Sequence, residues 1–278
     1  MKSLCLFICA AIGLATPLAR AADPNLGEPK AKPIVWNNPD QAPKGLVHGA
    51  LLSAGMKVEI GHNVYLPPGY EHGDTRYPVI YFLHGWGGDE NSDAAAFSGW
   101  VAKLTKELSL PPAIVVFPNG GRSWYRDYSA ERGLIETHIV HELVPYIDRT
   151  YRTLADREHR VLVGFSMGGG GAVRLAVKYP GLFSAAGSWG GAFAYRDPNP
   201  IPADLTPEHF ARVAGRVRLL MFVGTEDSQL LTYPALIKIL TEAKFPFAYE
   251  VLAGVRHDPG AYYEHSGEKM LLFLTTGF

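Results

Sequence analysis

The chain has 278 residues, of which 47% are hydrophobic and 19% charged, and its formal net charge is −1. A near-neutral balance without a basic run argues against nucleic acid or an anionic membrane as the binding partner. The length suits one α/β domain with a large buried core.

Residues 1–21 have the pattern of a secretory signal peptide: Lys2, an apolar run over residues 3–18, and the small-x-small sequence Ala19-Arg20-Ala21. Both cysteines, Cys5 and Cys9, lie in this leader. Removing 21 of the 278 residues leaves a mature chain without cysteine, so disulfides and cysteine metal sites are excluded there. We therefore expect an exported protein, periplasmic or secreted, that has no membrane contact in its mature form.

Residues 22–45 are rich in proline and are predicted to form an extended arm that leads into a single domain over residues 46–278. Apolar runs and alternation predict strands at Leu46–Leu52, Met56–Leu66, Tyr77–Leu83, Ala113–Phe117, Val161–Phe165, Phe183–Ser188, Val217–Val223 and Phe247–Leu252. Helices are predicted at Phe97–Leu108, Leu134–Tyr151, Gly169–Lys178 and Gly260–Leu274. This alternation indicates an α/β fold with a mostly parallel central sheet and helices on both faces.

A Gly-x-Ser-x-Gly pattern, Gly164-Phe165-Ser166-Met167-Gly168, lies between a predicted buried strand and a predicted helix. In that context the pattern is typical of a nucleophile elbow, a sharp turn that projects the serine Oγ clear of the backbone. A glycine-rich turn is the alternative interpretation. We predict that Ser166 is a catalytic nucleophile.

A serine nucleophile needs a base and a group that orients the base. The histidines after Ser166 are His209, His257 and His265, and of these His257 directly follows a predicted strand. Two adjacent carboxylates follow the strand Val217–Val223, so Asp227 is the predicted acid and Glu226 the alternative. Three other aspartates fit this chain position less well: Asp197, Asp204 and Asp258.

Acyl transfer by a serine nucleophile also needs hydrogen-bond donors for the developing oxyanion. The backbone N–H of Met167, which follows the nucleophile, is one predicted donor. The second is expected in the loop His84-Gly85-Trp86-Gly87-Gly88, with the N–H of Trp86 preferred. His84 precedes the serine in the chain, and we expect it to stabilise this loop rather than to act in catalysis.

Four segments together resemble the esterase D-like family of α/β-hydrolases, named "Putative esterase", which includes the feruloyl and acetylxylan esterases of carbohydrate esterase family 1. They are His84-Gly85-Trp86-Gly87-Gly88, the Ser166 elbow, Gly224-Thr225-Glu226-Asp227 and Gly254-Val255-Arg256-His257-Asp258. The resemblance covers about Leu46 to Phe273. It implies an α/β-hydrolase fold, a Ser166, Asp227 and His257 triad, and no metal or organic cofactor. The arginine before His257 departs from the small residues more frequent there in feruloyl esterases.

Two aromatic segments are predicted to line the substrate pocket through Trp124, Tyr125, Arg126 and Trp189. Packing of these aromatic residues at the sheet edge is the alternative. We expect a carboxylic ester hydrolase that acts on a small or polysaccharide-linked ester, in particular feruloyl or acetyl esters of plant polysaccharide. An acyltransferase, an esterase for a siderophore or a short-chain acyl group, and a non-catalytic binding protein are the alternatives. A monomer or a small homo-oligomer is expected.

Overall fold

The computed structural model describes residues 33–129, 133–193 and 205–278. The predicted leader and most of the proline-rich arm, together with Asp197 and Asp204, lie outside these residues. Residues from Ile34 onward belong to one compact unit. Within that unit the N-terminal segment is tied to the sheet: the carbonyl of Trp36 accepts a hydrogen bond of 2.6 Å from the N–H of Gly61.

The described residues form a sheet of eight strands in the spatial order β1-β2-β4-β3-β5-β6-β7-β8. The strands are β1 Val47–Leu52, β2 Glu59–Tyr65, β3 Val79–Leu83, β4 Ile114–Pro118, β5 Arg160–Phe165, β6 Ala185–Trp189, β7 Arg218–Glu226 and β8 Ala248–Arg256. β1 and β2 run antiparallel to their neighbours, whereas the six strands β3 to β8 all run parallel to one another. The predicted α/β fold with a mostly parallel sheet is confirmed.

The α-helices in the described residues are α1 Ala94–Leu108, α2 Ile135–Thr137, α3 Val144–Thr150, α4 Met167–Lys178, α5 Pro207–Val213, α6 Tyr233–Glu242 and α7 Pro259–Thr275. Short 3₁₀ turns occur at Pro39–Gln41 and Ser228–Thr232. Two hydrophobic clusters correspond to the two faces of the sheet. Helices α1 and α7 supply Phe97 and Met270 to one cluster, and α2 to α6 supply residues such as Leu175 and Leu236 to the other. Both faces are thus covered, as a parallel sheet requires.

The predicted helix Leu134–Tyr151 is interrupted by a π-helical segment, His138–Leu143. Pro145 follows in the first turn of α3 and has no N–H to donate to the carbonyl of His141. A regular α-helical ladder therefore cannot pass through this point, and the wider π turn joins the two parts.

Parallel strands place their carboxyl ends at one edge of the sheet, and chemistry in such folds collects there. β7 and β8 extend to Glu226 and Arg256, further than the sequence pattern predicts. As a result Asp227 and His257 each come immediately after a strand. β5 ends at Phe165, directly before Ser166. Among the described residues, no helix combines the length and apolar character needed to cross a membrane.

Candidate active site

Ser166 occupies a strained turn between β5 and α4, with φ 56° and ψ −118°. A left-handed backbone at a residue other than glycine costs about 1–3 kcal/mol and persists only where its surroundings enforce it. Here the Ser166 N–H donates to the carbonyl of Trp189 at 2.9 Å. A Cβ at Gly164 would lie 2.5 Å from the backbone of Gly168, and a Cβ at Gly168 would collide with the carbonyl oxygen of Leu83. Both flanking glycines are therefore required by close backbone packing.

His257 bridges Ser166 and Asp227. Its Nε2 lies 2.9 Å from the Ser166 Oγ, and its Nδ1 lies 2.8 Å from the Asp227 Oδ2. The carboxylate is fully buried, whereas 32% of the imidazole surface is exposed. This difference in burial suits the two predicted roles: the buried carboxylate orients the imidazole, and the partly exposed imidazole can contact solvent or a ligand. The structure thus brings the three predicted residues together, and their catalytic roles stay predictions.

Asp227 is held in its ionised form by its hydrogen bonds. Burial raises the pKa of this carboxyl, but donors from His257, the Tyr262 hydroxyl and the Gln229 N–H outweigh burial, so the pKa is lowered. Oδ1 accepts from Gln229 at 2.7 Å, and Oδ2 accepts from Tyr262 at 2.5 Å. A carboxylate with this many donors is fixed in orientation as well as in charge.

The competing acids and bases lie elsewhere. Glu226 is exposed and does not bond His257, so the choice between the two adjacent carboxylates falls on Asp227. Asp258 caps α7 by accepting from the N–H of Ala261 at 2.8 Å. The imidazole of His209 contacts the Val177 carbonyl, and that of His265 bonds to the Ala261 carbonyl.

The backbone of the 84–88 loop passes directly beside the serine. A Cβ built on Gly85 would lie 3.5 Å from the Cβ of Ser166 and 3.3 Å from the ring of Phe165. Met167, on the other side, is the first residue of α4, where helical N–H groups have no intrahelical acceptor. Both predicted donor segments therefore flank Ser166, and the donor roles of Trp86 and Met167 stay predictions.

His84 is locked in one neutral tautomer. Its Nε2 accepts from the N–H of Gly120 at 2.8 Å, so its Nδ1 must carry the hydrogen that it donates to the Gly85 carbonyl at 2.7 Å. Burial lowers the pKa of His84 to about 4, against smaller opposing effects of the Gly85 carbonyl and Asp89. The side chain acts as a neutral clamp between the 84–88 loop and the segment after β4, as expected of a residue that stabilises the loop.

An aromatic pair stands at the rim of this site. The Trp86 ring, 53% exposed, lies 5.1 Å from the Trp124 ring at an interplanar angle of 39°. Trp124 and Arg126 are partly buried. Sequence reasoning assigned Trp86 a role only through its backbone N–H and did not predict its exposed side chain. A tryptophan between glycines of a loop would have indicated such exposure.

The other two predicted substrate contacts are wrong, because Tyr125 and Trp189 are fully buried. The Tyr125 hydroxyl donates to the His84 carbonyl at 3.0 Å, beneath the loop. The Trp189 ring packs between Phe97 and Tyr263, and its Nε1 donates to the Ser266 Oγ at 2.9 Å. Both aromatic residues are structural, which was the alternative interpretation of their segments.

Sequence reasoning also missed Tyr262 and Gly190. Nothing in the sequence marks a tyrosine of the last helix as a partner of Asp227. Gly190 has φ +51°, and a Cβ there would lie 2.6 Å from the Asp227 Oδ2 and 3.2 Å from the His257 Nδ1. Its position directly after β6 was the one available signal. Among the residues the structure describes, no group of three or more His, Cys, Asp or Glu side chains could hold a metal ion.

Parts of this chain are similar in sequence to known proteins. A model of the family described as "Putative esterase" matches residues 53–263. An esterase of Mycobacterium tuberculosis, strain H37Rv, is 38% identical over 141 residues, which are 49% of this chain and 30% of the relative. A protein of Xylanibacter ruminicola named endo-1,4-beta-xylanase/feruloyl esterase is 34% identical over 139 residues, 46% of this chain and 18% of the relative. The chain thus spans less than a third of the length of either relative.

Solved structures share the fold over most of the chain. A ferulic acid esterase superposes with a TM-score of 0.72 at 23% identity and covers 84% of this chain and 98% of its own. A ferulic acid esterase of Anaeromyces mucronatus, solved with ferulic acid, gives a TM-score of 0.69 at 22% identity and covers 87% and 97%. These neighbours establish the α/β-hydrolase fold. Since the family model spans well over half of the chain, the resemblance predicted from the four motifs is confirmed, and this protein belongs to the "Putative esterase" family.

Proposed function

We propose that this protein is an exported serine esterase that hydrolyses carboxylic esters through an acyl-enzyme on Ser166. The observation that carries the proposal is the hydrogen-bonded series from Asp227 through His257 to a serine on a strained elbow. Family membership supports the same chemistry.

In the first half-reaction His257 Nε2 removes the proton from Ser166, and Oγ attacks the ester carbonyl carbon. The developing oxyanion is stabilised by the N–H groups of Met167 and Trp86. The bond from the carbonyl carbon to the alkoxy oxygen then breaks, and the alcohol leaves with the proton from His257. Asp227 remains ionised throughout and stabilises the imidazolium.

In the second half-reaction water takes the position of the alcohol. His257 removes a proton from the water, whose oxygen attacks the acyl carbon of the acyl-serine. Collapse of the intermediate returns the proton to the Ser166 Oγ and releases the acid. The exposed part of the imidazole is where the alcohol leaves and the water enters.

The proposed substrates are feruloyl or acetyl esters of plant polysaccharide. Trp86 and Trp124 offer aromatic faces for a phenolic or sugar ring. Arg126, two residues after Trp124, stays a predicted polar contact of the substrate. Relatives named feruloyl esterase and ferulic acid esterase support this substrate class. The signal-peptide pattern of residues 1–21 supports export to the periplasm or the medium, where polysaccharide is met.

The reaction is tested with the mature protein and p-nitrophenyl acetate. Ser166→Ala should lose hydrolysis by several orders of magnitude and should no longer be labelled by a fluorophosphonate. Ser184→Ala is the matched control, because Ser184 precedes β6 at the opposite end of the parallel strands. Retained turnover or labelling in Ser166→Ala would refute the proposal.

The substrate class is tested by measuring acid release from methyl ferulate and from acetylated xylo-oligosaccharide. Ferulate release that is lost in Ser166→Ala would assign a phenolic-acid esterase. Acetate release alone would assign a short-acyl esterase acting on sugars. Activity on p-nitrophenyl acetate with neither natural type of ester would refute the polysaccharide substrates and leave the serine chemistry intact.

A further inference from the structure

The 84–88 loop belongs to no helix or strand, yet the proposed function requires its N–H groups to stay in place beside Ser166. A donor is useful only within a few tenths of an ångström of the place where the oxyanion forms. The contacts that fix the position of this loop therefore matter for the proposed catalysis. The holding contacts come from the 120–126 loop, which follows β4.

Tyr125 supports the 84–88 loop from below. Its hydroxyl donates to the His84 carbonyl at 3.0 Å, and its ring lies against Gly120 and Gly171, where a Cβ at Gly171 would approach it to 2.6 Å. The Gly120 N–H donates in turn to the His84 imidazole. Main chain and side chain of His84 are thus both held by the 120–126 loop.

The 120–126 loop adopts a costly conformation to do this. Trp124 and Tyr125 have φ values of 55° and 54°, two successive left-handed residues that are not glycine. Each costs about 1–2 kcal/mol relative to a right-handed backbone. This backbone turns the Tyr125 ring inward and leaves Trp124 against the exposed Trp86 ring.

Arg174 secures the strained backbone. Its Nη1 donates to the Tyr125 carbonyl at 3.0 Å, while the Tyr125 N–H donates to the Ser123 Oγ at 2.9 Å. Arg174 is buried and forms an ion pair with the buried Glu136, which also bonds Lys178 and Tyr179. A buried guanidinium held by a carboxylate can donate to a carbonyl without competition from water.

Arg174 lies on α4, the helix that begins directly after Ser166. Ser166 therefore directly precedes the first turn of α4. Arg174, which donates to the Tyr125 carbonyl, lies two turns further along the same helix. We propose that Arg174, acting through Tyr125 and His84, is a positioning residue that fixes the 84–88 loop against Ser166. The inference rests on the proposed function, since it concerns the oxyanion donors of that reaction.

Tyr125→Phe tests the inference most cleanly, because it removes only the hydroxyl that holds the His84 carbonyl. We expect kcat for p-nitrophenyl acetate to fall about tenfold with KM little changed, since oxyanion donors act in the transition state. The rate advantage of the ester over its thiono analogue should shrink, because a C=S sulfur accepts hydrogen bonds poorly. Tyr263→Phe is the matched control: this buried hydroxyl has no hydrogen-bond partner among the described residues.

Arg174→Lys is the second variant, since lysine keeps the charge beside Glu136 but cannot bridge it to the Tyr125 carbonyl with a planar fork. It should reproduce the kcat loss and the smaller ester-to-thiono ratio, even where its melting temperature falls. If Tyr125→Phe and Tyr263→Phe have the same kcat and the same ratio, the inference is overturned. Turnover that survives in Ser166→Ala would instead overturn the proposed function, so the two failures are distinguishable.

Discussion

The two sides of Ser166 are built by different means. On one side, after β7 and β8, the site is built from titratable side chains: the carboxylate of Asp227 and the imidazole of His257 form a hydrogen-bonded pair. On the other side, after β3 and β4, the 84–88 and 120–126 loops present backbone, and their histidine, His84, is buried and neutral. In the proposed reaction the first side, the proton side, moves a proton, and the second, the loop side, keeps its charge distribution fixed while charge develops on the substrate.

The largest test of this contrast is Asp227→Asn, for which we expect kcat to fall by about 10⁴-fold. The amide nitrogen of asparagine would donate to His257 Nδ1 and thereby place the imidazole hydrogen on Nε2, facing the Ser166 hydroxyl. The base could then no longer accept the serine proton. Steady-state kinetics with p-nitrophenyl acetate measures the loss.

Glu226→Gln is the matched control, because Glu226 is the adjacent carboxylate and is exposed. It should retain the wild-type kcat. A loss in Glu226→Gln as large as that in Asp227→Asn would contradict the assignment of the acid.

Gly190→Ala should lower kcat on the order of 100-fold by displacing the carboxylate from the histidine. The new Cβ would lie 2.6 Å from the Asp227 Oδ2 and 3.0 Å from the Tyr262 hydroxyl. Gly215→Ala shares the positive φ, at +77°, but has open space around its Cβ. Both variants should lose stability by about 1 kcal/mol from backbone strain, and only Gly190→Ala should lose activity. Equal activity in the two would show that the carboxylate tolerates the displacement.

The proton side was largely predictable from sequence, whereas the loop side was not. A strand-end rule combined with residue type is enough to select His257 and to restrict the acid to Asp227 or its neighbour Glu226, and the hydrogen bond to His257 decides between these two. Tyr125 and Trp189 could not be assigned in this way, because the same aromatic side chain serves equally as core or as ligand surface. The positive φ of Tyr125 and the long-range bond from Arg174 depend on packing that no local pattern encodes.

Acid should destabilise the fold through histidines that are buried in their neutral form. Burial lowers the pKa of His84 to about 4, and burial together with repulsion from His138 and His48 lowers that of His62 to about 4. The unfolded chain takes up these protons near pH 6.5, so stability is lost as pH falls from 6.5 towards 4. Each histidine contributes a loss of roughly 3 kcal/mol at pH 4. Urea unfolding at pH 7, 5 and 4 measures it.

His62→Gln isolates one of these histidines without touching the site. It should flatten the acid branch of the stability curve and leave kcat at pH 7 unchanged. The exposed His72 provides the control, and His72→Gln should keep the wild-type pH dependence. An acid branch that is the same in His62→Gln and in the wild type would contradict burial of a neutral His62.

The smallest expected effect concerns Tyr262, which supports the proton side from α7. Tyr262→Phe removes one donor from the Asp227 carboxylate, while His257 and the Gln229 N–H continue to lower its pKa. The carboxylate therefore stays ionised but is less firmly oriented, and we expect kcat to fall by about three- to tenfold. The adjacent Tyr263→Phe loses a hydroxyl that has no partner among the described residues and should keep its kcat. A larger loss in Tyr262→Phe than in Tyr125→Phe would mean that side-chain orientation on the proton side limits the reaction more than backbone placement on the loop side.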